Sequence, residues 1–515
     1  MLQRKILLII SLLLLLLPAT ALQAQDDTVV IAVGIEPVSM DVWRGFAETG
    51  GPGFLNAVEQ LVTRDFASGE MVPLLATAWE WIDDRTIQFT LREGVSFHDG
   101  SYFNAAAAAA SINHTFDPEN AFDLLDFVGS MSAEAVGDYT LNVSTPEPDP
   151  ILLNKMYFVP IGSAQQLMDD PDSYHTNLIG TGPYRFVEWS SGESITYEAN
   201  PDWWGHGMMD EAGGEVSFQR AVYRFLPEDQ VRTAAVQAGE AHIAQYITPE
   251  QCAEVSMSDS ARCESAASVE TIFIRMDTNS PMLGDVRVRR ALQLGIDKDL
   301  IIETILGGTA TATGQIVNDT ALGHNPDIMP YPYDPEEAAA LLEAAAADGV
   351  PVDMEITLGA RIAVMPGIDE TLQAIASMWG DIGLNVSVEF FDPEGFGQVM
   401  LVNIKDVPED RNFVAVHLHG QELLDYHISY RFYFSCDGIL SVYCNEEAEA
   451  LWNAAEPLAG AERDATLQQL NQVAHDDVAS GYIGHLDFSY AVSNALDWSL
   501  KLDHRLQAKE MSPAG

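Results

Sequence analysis

Apolar and polar residues alternate along Ile87-Gln88-Phe89-Thr90-Leu91, the two-residue period of a strand with one buried face. With "TAWEW" before it, the segment predicts two strands joined by a turn at Asp83-Asp84. "TVVIAV" at 28–33 predicts another strand, and "DYTLNVSTPEP" a further one, stopped by Pro146 and Pro148. Residues 184–189, a turn at Ser191-Gly192 and residues 194–198 predict a hairpin. Asn104 stands where it can cap a helix running through the alanines of 105–110. The second half is richer in helices. "DVRVRRALQLGIDKDLIIETILGG" predicts a helix stopped at Gly307. In "YDPEEAAALLEAAAADGV", Asp334 is the N-cap, Pro335 takes the first helical position, Glu336 and Glu337 face the helix dipole, and Gly349 ends the helix. "IDETLQAIASMWGDIG" predicts a helix ending at Gly383, followed by the strand "LNVSVEFF" and a strand at 413–417. "AERDATLQQLNQVAHDDVAS" predicts a late helix. The order of elements is that of an α/β chain, without fixed-period repeats or a low-complexity linker.

At 515 residues the chain exceeds what one apolar core supports, roughly 250–300 residues, so at least two domains are expected. Seventy-seven acids against 25 bases give a formal net charge of -52. Phosphate repels such a surface, which argues against nucleic acid as a partner and disfavours anionic lipid. The acids are scattered along the chain, so they read as a strongly solvated surface. At the N-terminus, Arg4 and Lys5 precede an apolar run from Ile6 to Leu17. That run is shorter than the ~20 residues a bilayer span needs. Pro18 and small residues up to Ala24 follow, so residues 1–24 read as a cleaved export signal. No cysteine lies near the cleavage site to take a lipid, and the mature chain is expected in the periplasm. Four cysteines in an oxidising compartment allow three pairings, of which the local pairs, Cys252 with Cys263 and Cys436 with Cys444, are expected. Their spacing is not that of a zinc site.

Motifs of catalysis are missing: there is no G-x-S-x-G, H-E-x-x-H, P-loop or G-x-G-x-x-G after a strand. Paired carboxylates for glycoside hydrolysis are weak evidence where acids abound. His417 and His419 fall on one side of a strand, with His427 nearby, a pattern weighed as a soft-metal site. With no Cys or Asp at ligand spacing, pocket or surface histidines are the preferred reading, and no metal or cofactor is expected. The stretch "HLHGQELLDYHISYRFYFSCDGILSVYC", 417–444, puts Glu422 and Asp425 just ahead of an aromatic run in what reads as strand and loop. A solvated loop needs no aromatics and a core does not want the acids. A pocket for a cationic or zwitterionic ligand uses both.

Four segments in order then carry a resemblance. "LATAWEWIDDRTIQFTLREGVSFHDG", "GTGPYRFVEW…NPDWWG", "DVRVRRALQLGIDKDLI" and "YDPEEAAALLEAA" are similar to those of the family 5 extracellular solute-binding proteins of ABC importers, the group containing dipeptide-, oligopeptide- and nickel-binding proteins. The resemblance implies a two-lobed, type II periplasmic-binding-protein-like α/β fold with an extra domain inserted in the N-terminal lobe. On that pattern, 1–24 is the signal peptide, 25–60 the start of lobe I, 61–179 the extra domain, 180–277 more of lobe I, 278–481 lobe II and 482–515 the return to lobe I. The implied function is capture of a solute by hinge closure and delivery to the transmembrane permease subunits of an importer, by a monomer without enzymatic activity. A di- or oligopeptide is the leading ligand. A nickel complex, a haem, a sugar oligomer or an opine-like compound stands behind it, and a secreted hydrolase is the reading from another class.

The resemblance also assigns residues. In the peptide binders the region after the histidine strand reads Gly-Trp, two residues, then an aspartate that holds the ligand's α-ammonium. Here Leu418-His419 replaces Gly-Trp and Glu422 falls at the aspartate's place, with Asp425 as a second acid and His419 as a lining residue. "FSC" at 434–436 is similar to the local disulfide of the dipeptide-binding relatives, which pins the loop bearing the acid. Arg361 stands where those relatives place an arginine for the ligand's carboxylate, a task suited to a guanidinium fork. The glycine-rich "GFAETGGPG", 45–53, with Thr49 inside it, is the expected backbone contact from the N-terminal lobe.

Overall fold

The computed structural model describes residues 27–37, 39–43, 51–65, 69–120, 122–208, 213–362, 364–408, 410–502 and 504–515. The apolar leader at 1–24 and Thr49 lie outside them.

One eleven-stranded mixed sheet runs through the molecule. Its first-lobe half is ordered Tyr184–Ser190, Ser194–Ala199, Arg220–Phe225, Thr28–Val33, Ile243–Ala244. Its second-lobe half ends Phe413–Gly420, Ile356–Arg361, Val386–Phe391. Two long antiparallel strands, Ala261–Met276 and Gly481–Ser493, lie between the halves and belong to both. Near one end, Gly481–Ser493 pairs with Ile243–Ala244 of the first lobe. Toward the other, Glu270–Met276 pairs with Gly420–Val414 of the second. The pairing between the two long strands is interrupted from Ala267 to Thr271, so the crossing is irregular at 268–270. The lobe boundaries expected at 277/278 and 481/482 fall at the ends of these strands, whereas the change of partner falls inside them.

The hairpin predicted around Asp83-Asp84 forms, as Ala76–Trp81 and Thr86–Leu91. With Thr140–Ser144 and Ser132–Ala135 it makes a separate four-stranded antiparallel sheet within 61–179. Ile87, Phe89 and Leu91 are buried, as their alternation requires, in the apolar cluster that also holds Ala105, Ala108 and Ile112 of the helix Ala105–Thr115. The Asn104 side chain accepts from the Ala107 N–H and caps that helix. This sheet shares one apolar core with the first lobe, since Ile87 and Phe89 join the cluster that holds Val29, Ile31 and Tyr223.

The second lobe has a separate core around Ile272, Ile274, Leu292, Leu358 and Trp379. Asp334 caps the helix Pro335–Ala347 as its sequence requires. The helix predicted up to Gly307 is instead two, Val286–Leu294 and Lys298–Thr304. Asp297 explains the break, because its carboxylate accepts from the Leu300 N–H and caps a new helix. The aromatic run, expected as strand and loop, folds as the helix Tyr426–Tyr433, capped by Asp425 accepting from the His427 N–H. Tyr426, Tyr430 and Phe434 recur every four residues, and their rings meet at 6.2 and 6.0 Å. Both expected disulfides are present, Cys252–Cys263 and Cys436–Cys444. Among the described residues no helix is long and apolar enough to cross a membrane.

Candidate functional site

A cavity of about 910 Å³ opens where the long strands pass between the lobes. Gly34, Ile35, Phe127 and Phe158 line it from the first lobe, and Arg361, Phe396, Met400 and Phe432 from the second. Its walls are therefore largely apolar, with a few charged groups set into them. Phe127 and Phe432 face one another nearly parallel across the lobes, with ring centroids 6.3 Å apart. The lobes also touch where Arg64 Nη1 donates to the Glu422 carbonyl at 2.5 Å. Leu423 and Ile428, just beyond the histidine strand, are buried in the first lobe's core.

The acid end of the cavity is built by strand register. Glu270, in the crossing segment, lies directly opposite Gly420. The turn after Gly420 brings Glu422 back over it, with Leu424 held in the left-handed region at φ 54°. A methyl group on Gly420 would sit 2.4 Å from Glu422 Oε1 and 2.9 Å from Glu270 Oε1, so the two oxygens lie no farther apart than those distances together. Only glycine leaves room for both carboxylates here. Among the described residues nothing donates a hydrogen bond to the Glu270 carboxylate. Burial first, and then the neighbouring Glu422 charge, push Glu270 up to about 8. Tyr246 closes this end, with φ 53° and its carbonyl held by Arg232 Nη2 at 3.1 Å. The same guanidinium takes the carbonyls of Leu226, Pro227 and Gln245, which fixes the loop.

The basic end is Arg361, the last residue of Ile356–Arg361. Parallel pairing of Thr357 with Phe413 and Gly359 with Ala415, continued two residues, sets Arg361 beside His417. Among the described residues its guanidinium has neither a hydrogen-bond partner nor a carboxylate, in a chain with three acids for every base. His417 also faces the cavity, and its Nδ1 is buried without a partner among the described residues. Burial, helped by His419 and Arg361, pushes His417 down to about 3, so it is neutral. His419 is neutral as well, pushed to about 3 by burial. Its Nε2 accepts from Gln421 at 3.2 Å and meets the Ser429 hydroxyl at 2.6 Å. Both rings pack on Phe273 and Tyr433, on one face of the strand.

The structure thus brings Glu422, Arg361 and His419 to one cavity, and it places Asp425 elsewhere. Asp425 is fully buried and forms a two-pronged ion pair with Arg463, at 2.7 and 3.1 Å, while also capping the aromatic helix. Its charge is used within the second lobe, so it is no backup for Glu422. His427 stacks on Trp452 at 5.0 Å, away from the other two histidines. Among the described residues no three His, Cys, Asp or Glu side chains gather as metal ligands. Glu270 had no signal in the sequence. "SVETIFIRM" reads as an ordinary strand, and only its register against Gly420 exposes the acid.

Residues 70–425, more than half of the chain, match the family described as bacterial extracellular solute-binding proteins, family 5. A probable di/tripeptide-binding protein of Pseudomonas aeruginosa is 28% identical over 311 residues, 55% of this chain and 58% of that protein. Heme-binding protein A of Haemophilus influenzae is 27% identical over 355 residues, 64% of this chain and 63% of that protein. These alignments span under two thirds of either relative. The fold match is more complete. The ABC transporter-associated periplasmic binding protein DppA from Helicobacter pylori, solved with the peptide STSA, superposes with a TM-score of 0.81 at 19% identity. It covers 96% of this chain and 100% of that one. With this match across its middle and a two-lobed sheet of the same architecture, the chain belongs to family 5 of the bacterial extracellular solute-binding proteins.

Proposed function

We propose that the chain is the extracytoplasmic receptor of an ABC importer, and that it captures a short peptide-like zwitterion between its lobes for delivery to a membrane permease. The observation that carries this reading is charge placement in the cleft. An acid end at Gly420 and, beside His417, an Arg361 without a partner among the described residues stand at opposite ends of an apolar cavity. Three residues of strand separate them, about 10 Å at ~3.3 Å per residue. That span suits an extended peptide of roughly two to four residues, at ~3.5 Å each. Its ammonium goes to the glutamates and its carboxylate to the Arg361 fork, which makes two parallel charge-assisted bonds. The ligand's side chains meet Phe158 and Phe396. Family membership supports the importer role. The two disulfides agree with the periplasm reached through a cleaved leader, in which the receptor acts as a monomer.

Calorimetry of the mature protein with Ala-Leu-Ala, its N-acetyl and C-amide forms, haem and Ni²⁺ tests the reading. Free Ala-Leu-Ala is expected to bind, and each blocked form to lose at least tenfold. Arg361→Met removes the C-terminal anchor and is expected to weaken the free peptide by about tenfold to a hundredfold, as loss of a charged hydrogen bond of ~1.5–3 kcal/mol requires. Binding of haem or Ni²⁺ with no response to any peptide would overturn the peptide reading and leave the fold assignment intact.

A further inference from the structure

The acid end of the cleft presents two carboxylates to a ligand that brings one ammonium. Glu270 and Glu422 converge on Gly420 from different strands of the sheet, and Glu270 has no donor among the described residues. Both line the cavity. A separate sign that this cleft takes a ligand lies at its basic end, where among the described residues His417 Nδ1 is buried in the cavity wall without a partner.

The reading above makes Glu422 the ammonium contact. Resting on that reading, we propose that Glu270 is the second half of a two-carboxylate cation site, and that the pair holds one proton in the empty cleft and releases it to solvent when a ligand ammonium enters. The exchange balances. The ligand brings one positive charge, one proton leaves the O–H of the pair for the buffer, and both carboxylates then accept from the ammonium. No bond other than that O–H breaks.

The surroundings single out this pair as the group that titrates near neutrality. Tyr246, from the first lobe, and Tyr433, from the aromatic helix, face it, and burial pushes both phenols far above neutrality, so they stay protonated. His419, from the histidine strand, stays uncharged. Arg64 approaches the Glu422 backbone from the strand Val62–Arg64, and Arg361 lies at the far end of the cleft. Burial and the Glu422 charge set Glu270 near 8, so a cleft at pH 6–7 keeps its proton until a cation replaces it. A site of this kind discriminates by charge. It takes a primary ammonium, and it leaves a neutral or N-acylated solute facing a carboxylic acid with no cation to accept.

The test is calorimetry of the full mature protein with Ala-Leu-Ala at pH 6.5, in phosphate and in imidazole buffer. At that pH the peptide's own amine, with a pKa of about 7.7–8.0, is almost fully protonated. The binding heats in the two buffers should differ by the release of nearly one proton per peptide, and the affinity should rise by close to tenfold from pH 6 to pH 7. Glu270→Gln should abolish both effects while its far-ultraviolet circular dichroism matches the wild type. A wild type that binds Ala-Leu-Ala with no proton release and a flat pH profile overturns the proton exchange and leaves the peptide reading standing. Proton release that persists in Glu270→Gln assigns the proton elsewhere and removes Glu270 from the role. No binding of Ala-Leu-Ala at all defeats the peptide reading, and the exchange falls with it.

Discussion

Glu270 also governs the empty protein, and there the sign can be worked out. Its pKa is raised in the folded state, from an ordinary 4.5 to about 8. Between those values the folded chain binds more protons than the unfolded chain, so stability falls as pH rises through that window. Thermal unfolding of the ligand-free protein from pH 5 to pH 8 is expected to show the wild type losing ground to Glu270→Gln, with the gap widening toward pH 8. A constant gap would mean that the carboxyl titrates as an exposed one. Peptide is expected to stabilise the wild type more at pH 7 than at pH 6, the reverse of the ligand-free trend. The sequence revealed this site unevenly. That Glu422 and Arg361 line the cavity was legible, because each stands at a fixed place relative to a recognisable segment. Glu270 and the orphaned His417 Nδ1 were not, because a strand residue becomes a site residue only through its partner across the sheet. Asp425 was misread for a related reason. An acid three residues from another looks equivalent in sequence, but a three-residue step around a turn sends one to the cleft and the other to Arg463.

At the scale of elements, the pair of Asp425 and Arg463 fastens the aromatic helix to the helix Gly460–Asp476. Arg463 is buried, and its Nη1 also takes the Ala455 carbonyl at 2.7 Å. Removing one member of such a pair strands the other in a low-dielectric interior, which costs about 3–5 kcal/mol. Asp425→Ala also deletes the cap, worth a further ~1 kcal/mol. The variant should therefore melt well below the wild type, while the fraction that stays folded binds peptide with affinity close to the wild type's. A selective loss of affinity at unchanged melting temperature would return Asp425 to the ligand. Most helices and hairpins were readable because caps and turns are written in single residues, as at Asn104 and Asp334. The aromatic helix was hidden because Tyr and Phe favour strands and its four-residue spacing is short, so the cap at Asp425 was the one local signal. The break at Asp297 is the converse, a cap signal inside what looked like a continuous helix.

The two-lobed design depends on strands that belong to both halves, so closure is limited by what the lobes gain when they meet. Contacts that span them at the cleft include Arg64 on the Glu422 carbonyl, Leu423 with Ile428 in the first lobe's core, and Phe127 against Phe432. The aromatic pair is the one that can be removed without touching the acids or a buried core position. Such a pair is worth about 0.5–1.5 kcal/mol beyond its buried area. If it exists only when the lobes are closed, its loss shifts the closed-to-open ratio by roughly two- to tenfold and weakens ligand by no more than the same factor. Phe432→Ala should thus raise the small-angle scattering radius of the ligand-free protein. It should speed peptide release and leave the association rate and the number of protons released per peptide unchanged. Those last two readouts separate a closure residue from a binding residue, because losing a contact with the ligand's ammonium would alter proton release, whereas losing a contact between lobes alters only how long the lobes stay shut. An unchanged radius together with an unchanged off-rate would mean that the lobes are held by the Arg64 and Leu423–Ile428 contacts, and that the aromatic pair plays no part in closure.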